Sequence, residues 1–265
     1  MEDKPIASIK NLTTHYDDVE ILRDINVDVN KNEILVIMGG SGSGKSTLLR
    51  HMLGLNYPTH GDVELFGYDL KVLPPQDLCN LRQKIGVSFQ GGALFNSMTV
   101  GENIMLPLKE HTKLDDKTMH IMMRMKLEVV NLAGFENLMP DQLSGGMIKR
   151  VALARAIIMD PALLFFDEPS AGLDPVVSAE LDDLILKLKD AMNMSIVVVT
   201  HEIESAMKIA DRIAVLDKGK LVQIGTKDEI KNSAHPRVKK LINRIPENIQ
   251  SDSGEYLERL TRDNY

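Results

Sequence analysis

Four short apolar runs punctuate the chain, at residues 34–38 (Ile-Leu-Val-Ile-Met), 163–166 (Leu-Leu-Phe-Phe), 196–199 (Ile-Val-Val-Val) and 213–216 (Ile-Ala-Val-Leu). They are rich in Ile and Val, and helix-length segments separate them, so the pattern predicts a mainly parallel α/β sheet. Residues 7–12 and 21–30 also read as strands, but no helical pattern lies between them. A small antiparallel β-region is expected there. From about 91 to 160 no strong β-run occurs, and Met119, Met123, Leu127 and Val130 recur at helical spacing. This stretch is expected to be a helical sub-domain. After Pro236 the chain is polar and punctuated by Pro246 and Ser251-Asp252-Ser253-Gly254 before Tyr256 and Leu257. It reads as an extension (236–265) with an anchor near its end, behind one large domain (1–235).

Length and composition narrow the class. A chain of 265 residues is near the upper limit for one hydrophobic core, and 43% hydrophobic with 26% charged residues is ordinary for a folded protein. The single cysteine, Cys79, leaves no internal disulfide or cysteine-rich zinc site and fits a reducing compartment. The most apolar stretch, 151–166, is interrupted by Arg155, Asp160 and Pro161, and the first residues carry no apolar signal segment, so no export and no membrane span is expected. A net charge of −7 argues against nucleic acid as a partner.

The chemistry begins after the first apolar run. Gly39, Gly40, Ser41, Gly42, Ser43, Gly44, Lys45 and Ser46 fit the pattern G-x-x-x-x-G-K-[ST], and an apolar segment opens at Thr47. A phosphate chain needs many N–H donors at close approach, which a glycine-rich backbone supplies, and a following helix N-terminus adds positive potential. Lys45 is then expected to reach the β- and γ-phosphates, and the Ser46 hydroxyl to bind Mg²⁺. A flexible Gly/Ser linker is the bland alternative, but a linker has no reason to set Lys-Ser between an apolar strand and an apolar helix.

The run at 163–166 ends in Asp167 and Glu168. Such a strand end lies beside the phosphate loop in a parallel sheet, and strand alternation predicts that the two carboxylates point opposite ways. Asp167 suits Mg²⁺, and Glu168 suits polarising the attacking water. Between these motifs, Leu143-Ser144-Gly145-Gly146-Met147 opens a helix-like segment. A hydroxyl and bare backbone amides at a helix start form a second anion site. One nucleotide needs one phosphate loop, so a second loop makes sense if it serves the γ-phosphate held by another chain.

In the order Tyr16, the loop of Lys45, Gln90, Leu143–Met147, Asp167-Glu168, Ser170-Ala171-Gly172-Leu173-Asp174 and His201, the chain resembles the ABC ATPase family from about Ile6 to His235. The resemblance implies a P-loop α/β fold, ATP and Mg²⁺ as ligands, and a sandwich of two copies. It implies that Tyr16 stacks on adenine, Gln90 senses Mg²⁺ and water, Ser144, Gly145 and Gly146 contact phosphate, Asp174 bridges the two cassettes, and His201 contacts the γ-phosphate. Taken singly, Tyr16, Gln90 and His201 are ordinary core or surface residues. One departure is Met147, where the family usually has Gln.

Leu143–Met147 with Lys149-Arg150 following, together with Gly92-Ala93-Leu94-Phe95, residues 107–112 (Pro-Leu-Lys-Glu-His-Thr) and Gly254-Glu255-Tyr256, is similar to the ATPases of MCE-type (Mla-type) phospholipid transporters. That resemblance implies a place on the cytoplasmic face of a bacterial inner membrane. It also implies three partners: an MlaE-like membrane permease, an MlaD-like MCE-domain protein and an MlaB-like STAS-domain subunit. The alternative is the ATPase of an amino-acid type importer. Non-transport ABC proteins fit less well, because the span from Ser46 to Asp167 has no room for coiled-coil or zinc insertions. A dead structural subunit is disfavoured by the presence of Lys45, Asp167, Glu168 and His201. The Met-rich stretch 119–125 reads as helix core or as an adaptable contact surface.

Overall fold

The computed structural model describes residues 4–245; the expected anchor at Tyr256 and Leu257 lies outside the described residues. The chain opens on two long strands, β1 (Ala7–Tyr16) and β2 (Val19–Val29), followed by β3 (Ile34–Gly39) and helix α1 (Lys45–Met52). Next come β4 (His60–Leu65), β5 (Tyr68–Asp69), α2 (Pro75–Arg82) and β6 (Ile85–Ser88). Three helices follow with no strand among them, α3 (Val100–His111), α4 (Asp116–Val129) and α5 (Gly145–Ala156). The chain then alternates through β7 (Leu163–Asp167), α6 (Pro175–Met192), β8 (Ser195–Thr200), α7 (Ile203–Ile209) and β9 (Arg212–Asp217). It closes with β10 (Lys220–Thr226), α8 (Lys227–Lys231) and α9 (Pro236–Ile242).

The strands form two sheets. In the larger, ordered β10-β9-β3-β8-β7-β6, all neighbours are parallel except the β10 edge. The smaller, ordered β2-β1-β4-β5, is antiparallel. This β-region is larger than the first thirty residues suggest: β4 returns after some thirty intervening residues to pair with β1, placing Val63 beside Ile9.

Alternation along the central strands splits the core in two. Ile34, Val36 and Met38 of β3, Leu164 and Phe166 of β7, and Ile196 and Val198 of β8 face the helices α3 to α6. Leu35 and Ile37, Leu163 and Phe165, and Val197 and Val199 face α1 and the small sheet. Both faces are covered, so the central strands carry continuous apolar runs. Each such buried side chain contributes roughly 1.5–3 kcal/mol.

The helical sub-domain starts where capping starts it. Thr99 and Glu102 form a reciprocal capping box on α3, Asp115 caps α4, and Ser144 caps α5. The Met-rich stretch lies on α4, where its core reading holds for part of its side chains. Met119, Met123 and Leu127 are buried, while Ile121, Met125 and Val129 are exposed on another face. Helix α9 is seated on the core through buried Val238, and the Arg237 guanidinium lies 2.8 Å from Asp217. Among the described residues no helix is long and apolar enough to cross a membrane.

Candidate functional site

Sheet register brings the chemistry to one edge. Val199 of β8 pairs with both Ile37 of β3 and Asp167 of β7, and Thr200 pairs with Met38. The chain therefore leaves the sheet side by side at Gly39, Asp167 and His201. Strand β6 ends next door, with Ser88 opposite Phe166, so Gln90 emerges at the same edge. Ligands of open α/β sheets bind outside such carboxyl ends.

Two glycines of the loop after β3 are dictated by space. A Cβ on Gly39 would sit 2.3 Å from the Leu216 carbonyl oxygen. One on Gly44, at φ 103°, would sit 2.5 Å from Leu22 Cδ2. Helix α1 begins with no side-chain cap and no acidic residue in its first turn, so its N–H groups and positive end stay available to an anion. Lys45 is buried, and its Nζ donates to the Gly39 and Gly40 carbonyls at 2.9 and 3.0 Å. Burial lowers its pKa, and the charges of Glu168 and Asp167 oppose that shift. Ser43 is buried, Thr47 is half-buried, and Gly40, Ser41, Gly42 and Ser46 are exposed.

Asp167 continues the parity of Leu163 and Phe165, toward the α1 side. Its carboxyl is pushed up by burial and then by the neighbouring Glu168 charge, with Lys45 pulling the other way. Asp167 Oδ1, Ser43 Oγ and Ser170 Oγ are buried with no hydrogen-bond partner among the described residues. Glu168 departs from the expected alternation. The strand ends at Asp167, and Glu168 turns out in the left-handed region at φ 48°, while its N–H still donates to the Val199 carbonyl at 2.8 Å. The two carboxylates thus differ in environment because the backbone turns between them, not because a strand continues. Glu168 Oε2 accepts from His201 Nδ1 at 2.8 Å and from the His201 N–H at 3.3 Å.

Other expected residues enter differently. The Gln90 side chain is exposed, and it is the Gln90 carbonyl that joins the cluster, accepting from Lys149. Lys149 also donates to the Glu168 carbonyl at 3.3 Å, a role that the sequence does not signal beyond a cation on an apolar helix. Tyr16, 42% exposed at the end of β1, accepts from Asn56 Nδ2 at 2.7 Å.

Ser144, Gly145 and Gly146 line one shallow cavity with Gly172, Leu173 and Asp174. Ser144 Oγ accepts from the Met147 N–H at 3.3 Å, and Asp174 Oδ1 accepts from the Val176 and Val177 N–H groups at 3.0 and 3.1 Å. Gly146 is required by a close approach, since its Cβ would lie 2.8 Å from Val177 Cγ1. Met147, in place of the usual Gln, packs its side chain on the core and contributes only its N–H.

The sequence matches the ABC transporter family over residues 22–171, a span containing Lys45, Ser144 and Glu168. The chain belongs to that family. It is an ATP-binding, ATP-hydrolysing cassette. It is 39% identical over 233 residues to the intermembrane phospholipid transport system ATP-binding protein MlaF of Haemophilus influenzae, covering 88% of each chain. It is 36% identical over 235 residues to the probable ribonucleotide transport ATP-binding protein mkl of Mycobacterium leprae, covering 89% of this chain and 68% of that one. Among solved structures it is similar to the dimeric, post-hydrolysis cassette MJ0796 bound to ADP and Pi. There the TM-score is 0.78 at 32% identity, over 83% of this chain and 98% of that one.

Proposed function

We propose that this cassette is the motor of a phospholipid transporter of the MCE type, working as a pair on the cytoplasmic face of a bacterial inner membrane. The observation that carries the reading is the 39% identity to a phospholipid-transport ATPase over nearly the whole of both chains. The cassette would act through an MlaE-like permease, with an MlaD-like MCE-domain protein and an MlaB-like STAS-domain subunit in the complex.

The residues fit Mg-ATP. Asp167 Oδ1 is a buried, unpartnered oxygen on the α1 side, and the Ser46 hydroxyl is exposed at the start of α1. These two would hold Mg²⁺, with Gln90 in reach only through its exposed side chain. Bound Mg²⁺ supplies neutralisation of charge on the β- and γ-phosphate oxygens. Lys45 exchanges its loop carbonyls for phosphate oxygens, which restores a charged partner to a buried ammonium. The N–H groups of 40–46 cradle the phosphates, Thr47 adds a hydroxyl, and the Tyr16 ring stacks on adenine. Glu168 acts as general base toward water, oriented by His201, whose Nδ1–H and main-chain N–H both hold Oε2; a γ-phosphate contact would come from a ring that carries a proton on Nε2 as well. Ser144, Gly145, Gly146 and Asp174 serve the nucleotide of the other copy.

A second reading, a solute transporter, is favoured by the similarity to the probable ribonucleotide transport protein. Reconstituting the copurified membrane complex in liposomes decides between them. ATP-dependent movement of labelled phospholipid, lost in Glu168→Gln, supports the first reading. Uptake of a small solute with no lipid movement overturns it and leaves the ATPase assignment intact.

A further inference from the structure

We propose that Lys149 is a positioning residue for ATP hydrolysis, a strut that ties the Gln90 loop and the main chain of Glu168 to the helix carrying Ser144. The proposal rests on the roles of Glu168 and Gln90 given above. Lys149 lies in the second turn of α5, five residues beyond Ser144, and is only 8% exposed. Its Nζ donates to the carbonyls of both Gln90 and Glu168. A buried ammonium is costly unless it is hydrogen-bonded, and an apolar residue would serve the packing of α5 equally well. What the ammonium adds is a link between two main-chain segments that leave the neighbouring strands β6 and β7 at the hydrolytic edge.

A second cation on the same helix strengthens the case. Arg155 donates to the Gly92 and Ala93 carbonyls, both at 2.8 Å. Gly92, at φ 75°, lies so close to α5 that a Cβ would fall 2.7 Å from Ile148 Cγ2. Loop 90–93 is therefore clamped along α5 and moves with it. Of the two cations, Lys149 is the one that also holds the residue after β7. A shift of the Ser144 helix is transmitted through it to the general base, so that the surface offered to the other copy and the chain's own carboxylate stay in register.

The test uses the copurified membrane complex carrying Lys149→Met, Lys149→Arg or Lys149→Gln, with ATP affinity measured apart from kcat. Lys149→Met is expected to lower kcat by up to about 100-fold, the scale of an ångström-sized misplacement, while ATP affinity and KM stay near the wild-type values. Lys149→Arg restores most of the rate, and Lys149→Gln, whose donor is one bond shorter, falls between. If the Met variant does not fold, the order Arg above Gln in kcat at constant affinity carries the same information. A wild-type kcat in Lys149→Met overturns the proposal, as does a loss of kcat that follows ATP affinity and is not rescued by Arg. Glu168→Gln, measured alongside, separates the two readings: full hydrolysis by that variant refutes the base itself, whereas an inactive Glu168→Gln beside a normal Lys149→Met refutes only the strut.

Discussion

The chain presents two glycine-rich loops at helix starts, and they are finished to different degrees. Around the first, Asp167 Oδ1 and Ser43 Oγ are buried without partners among the described residues, and the Lys45 ammonium is turned back onto loop carbonyls. Around the second, Ser144 and Asp174 already spend their side chains capping α5 and α6, on an open surface. Unsatisfied buried polar atoms are destabilising, so the first loop is shaped for a ligand at some expense to the empty fold. The second is stable as it stands and contributes chiefly by the surface that it offers. The same local chemistry, backbone N–H groups at a helix N-terminus, lies in an interior setting in one place and on an open surface in the other.

Substitutions sharpen that contrast. The largest effect is expected for Glu168→Gln, which removes the base without touching the phosphate cradle: turnover should fall by about 10²–10⁴-fold with ATP binding retained, as measured by single-turnover hydrolysis beside a binding titration. Lys45→Ala should act on binding itself. Loss of a charge-assisted hydrogen bond worth about 1.5–3 kcal/mol corresponds to roughly ten- to hundredfold weaker ATP affinity by calorimetry. Unchanged affinity would remove Lys45 from the phosphate site.

At the outer loop the expected signature is different. Asp174→Ala deletes an N-cap and should destabilise the empty cassette by about 0.5–2 kcal/mol in urea denaturation, with Asp174→Asn restoring most of it. The inner loop should respond with the opposite sign. The Asp167 carboxyl is raised by burial, so the folded state binds its proton more tightly than the unfolded chain, and the ionised form disfavours folding at neutral pH. Asp167→Asn should therefore raise the melting temperature of the nucleotide-free protein at pH 7. That gain should shrink as pH falls through the raised pKa and vanish below the unfolded value of about 4, where both states are protonated. The same variant should lose the extra stabilisation that Mg-ATP confers on wild type. A melting temperature lowered at pH 7 would contradict the inner-loop account.

Much of this was legible in the sequence, for physical reasons that also set the limits. The runs ending at Met38, Phe166, Val199 and Leu216 are buried on both faces, so they stand out without alternation, and three of them lead directly into the candidate site. Strand β4 is hidden because His60, Gly61 and Asp62 are polar and its pairing partner lies some fifty residues away. Strand β6 is only four residues long. Alternation misjudged Glu168, since periodicity says nothing of a left-handed turn at the strand end. Gln90 makes its observed contact through its main-chain carbonyl, and main-chain roles leave no mark on residue type. Lys149 was invisible as a site residue for the related reason that its partners are both carbonyls.

The central claim is that an interior phosphate loop on one chain and an exterior loop on another complete a single hydrolytic site. Mixing two inactive variants tests it most directly: Lys45→Ala, which lacks the interior function, and Ser144→Asp, which sets a negative charge on the exterior surface. At an ATP concentration well below the dissociation constant of Lys45→Ala, each alone should hydrolyse little ATP in the membrane complex. Complexes assembled from both contain one site with an intact Lys45 from one chain and an intact Ser144 from the other, and ATPase activity should reappear. A mixture as inactive as its two parents, although shown to contain both chains, would contradict the account.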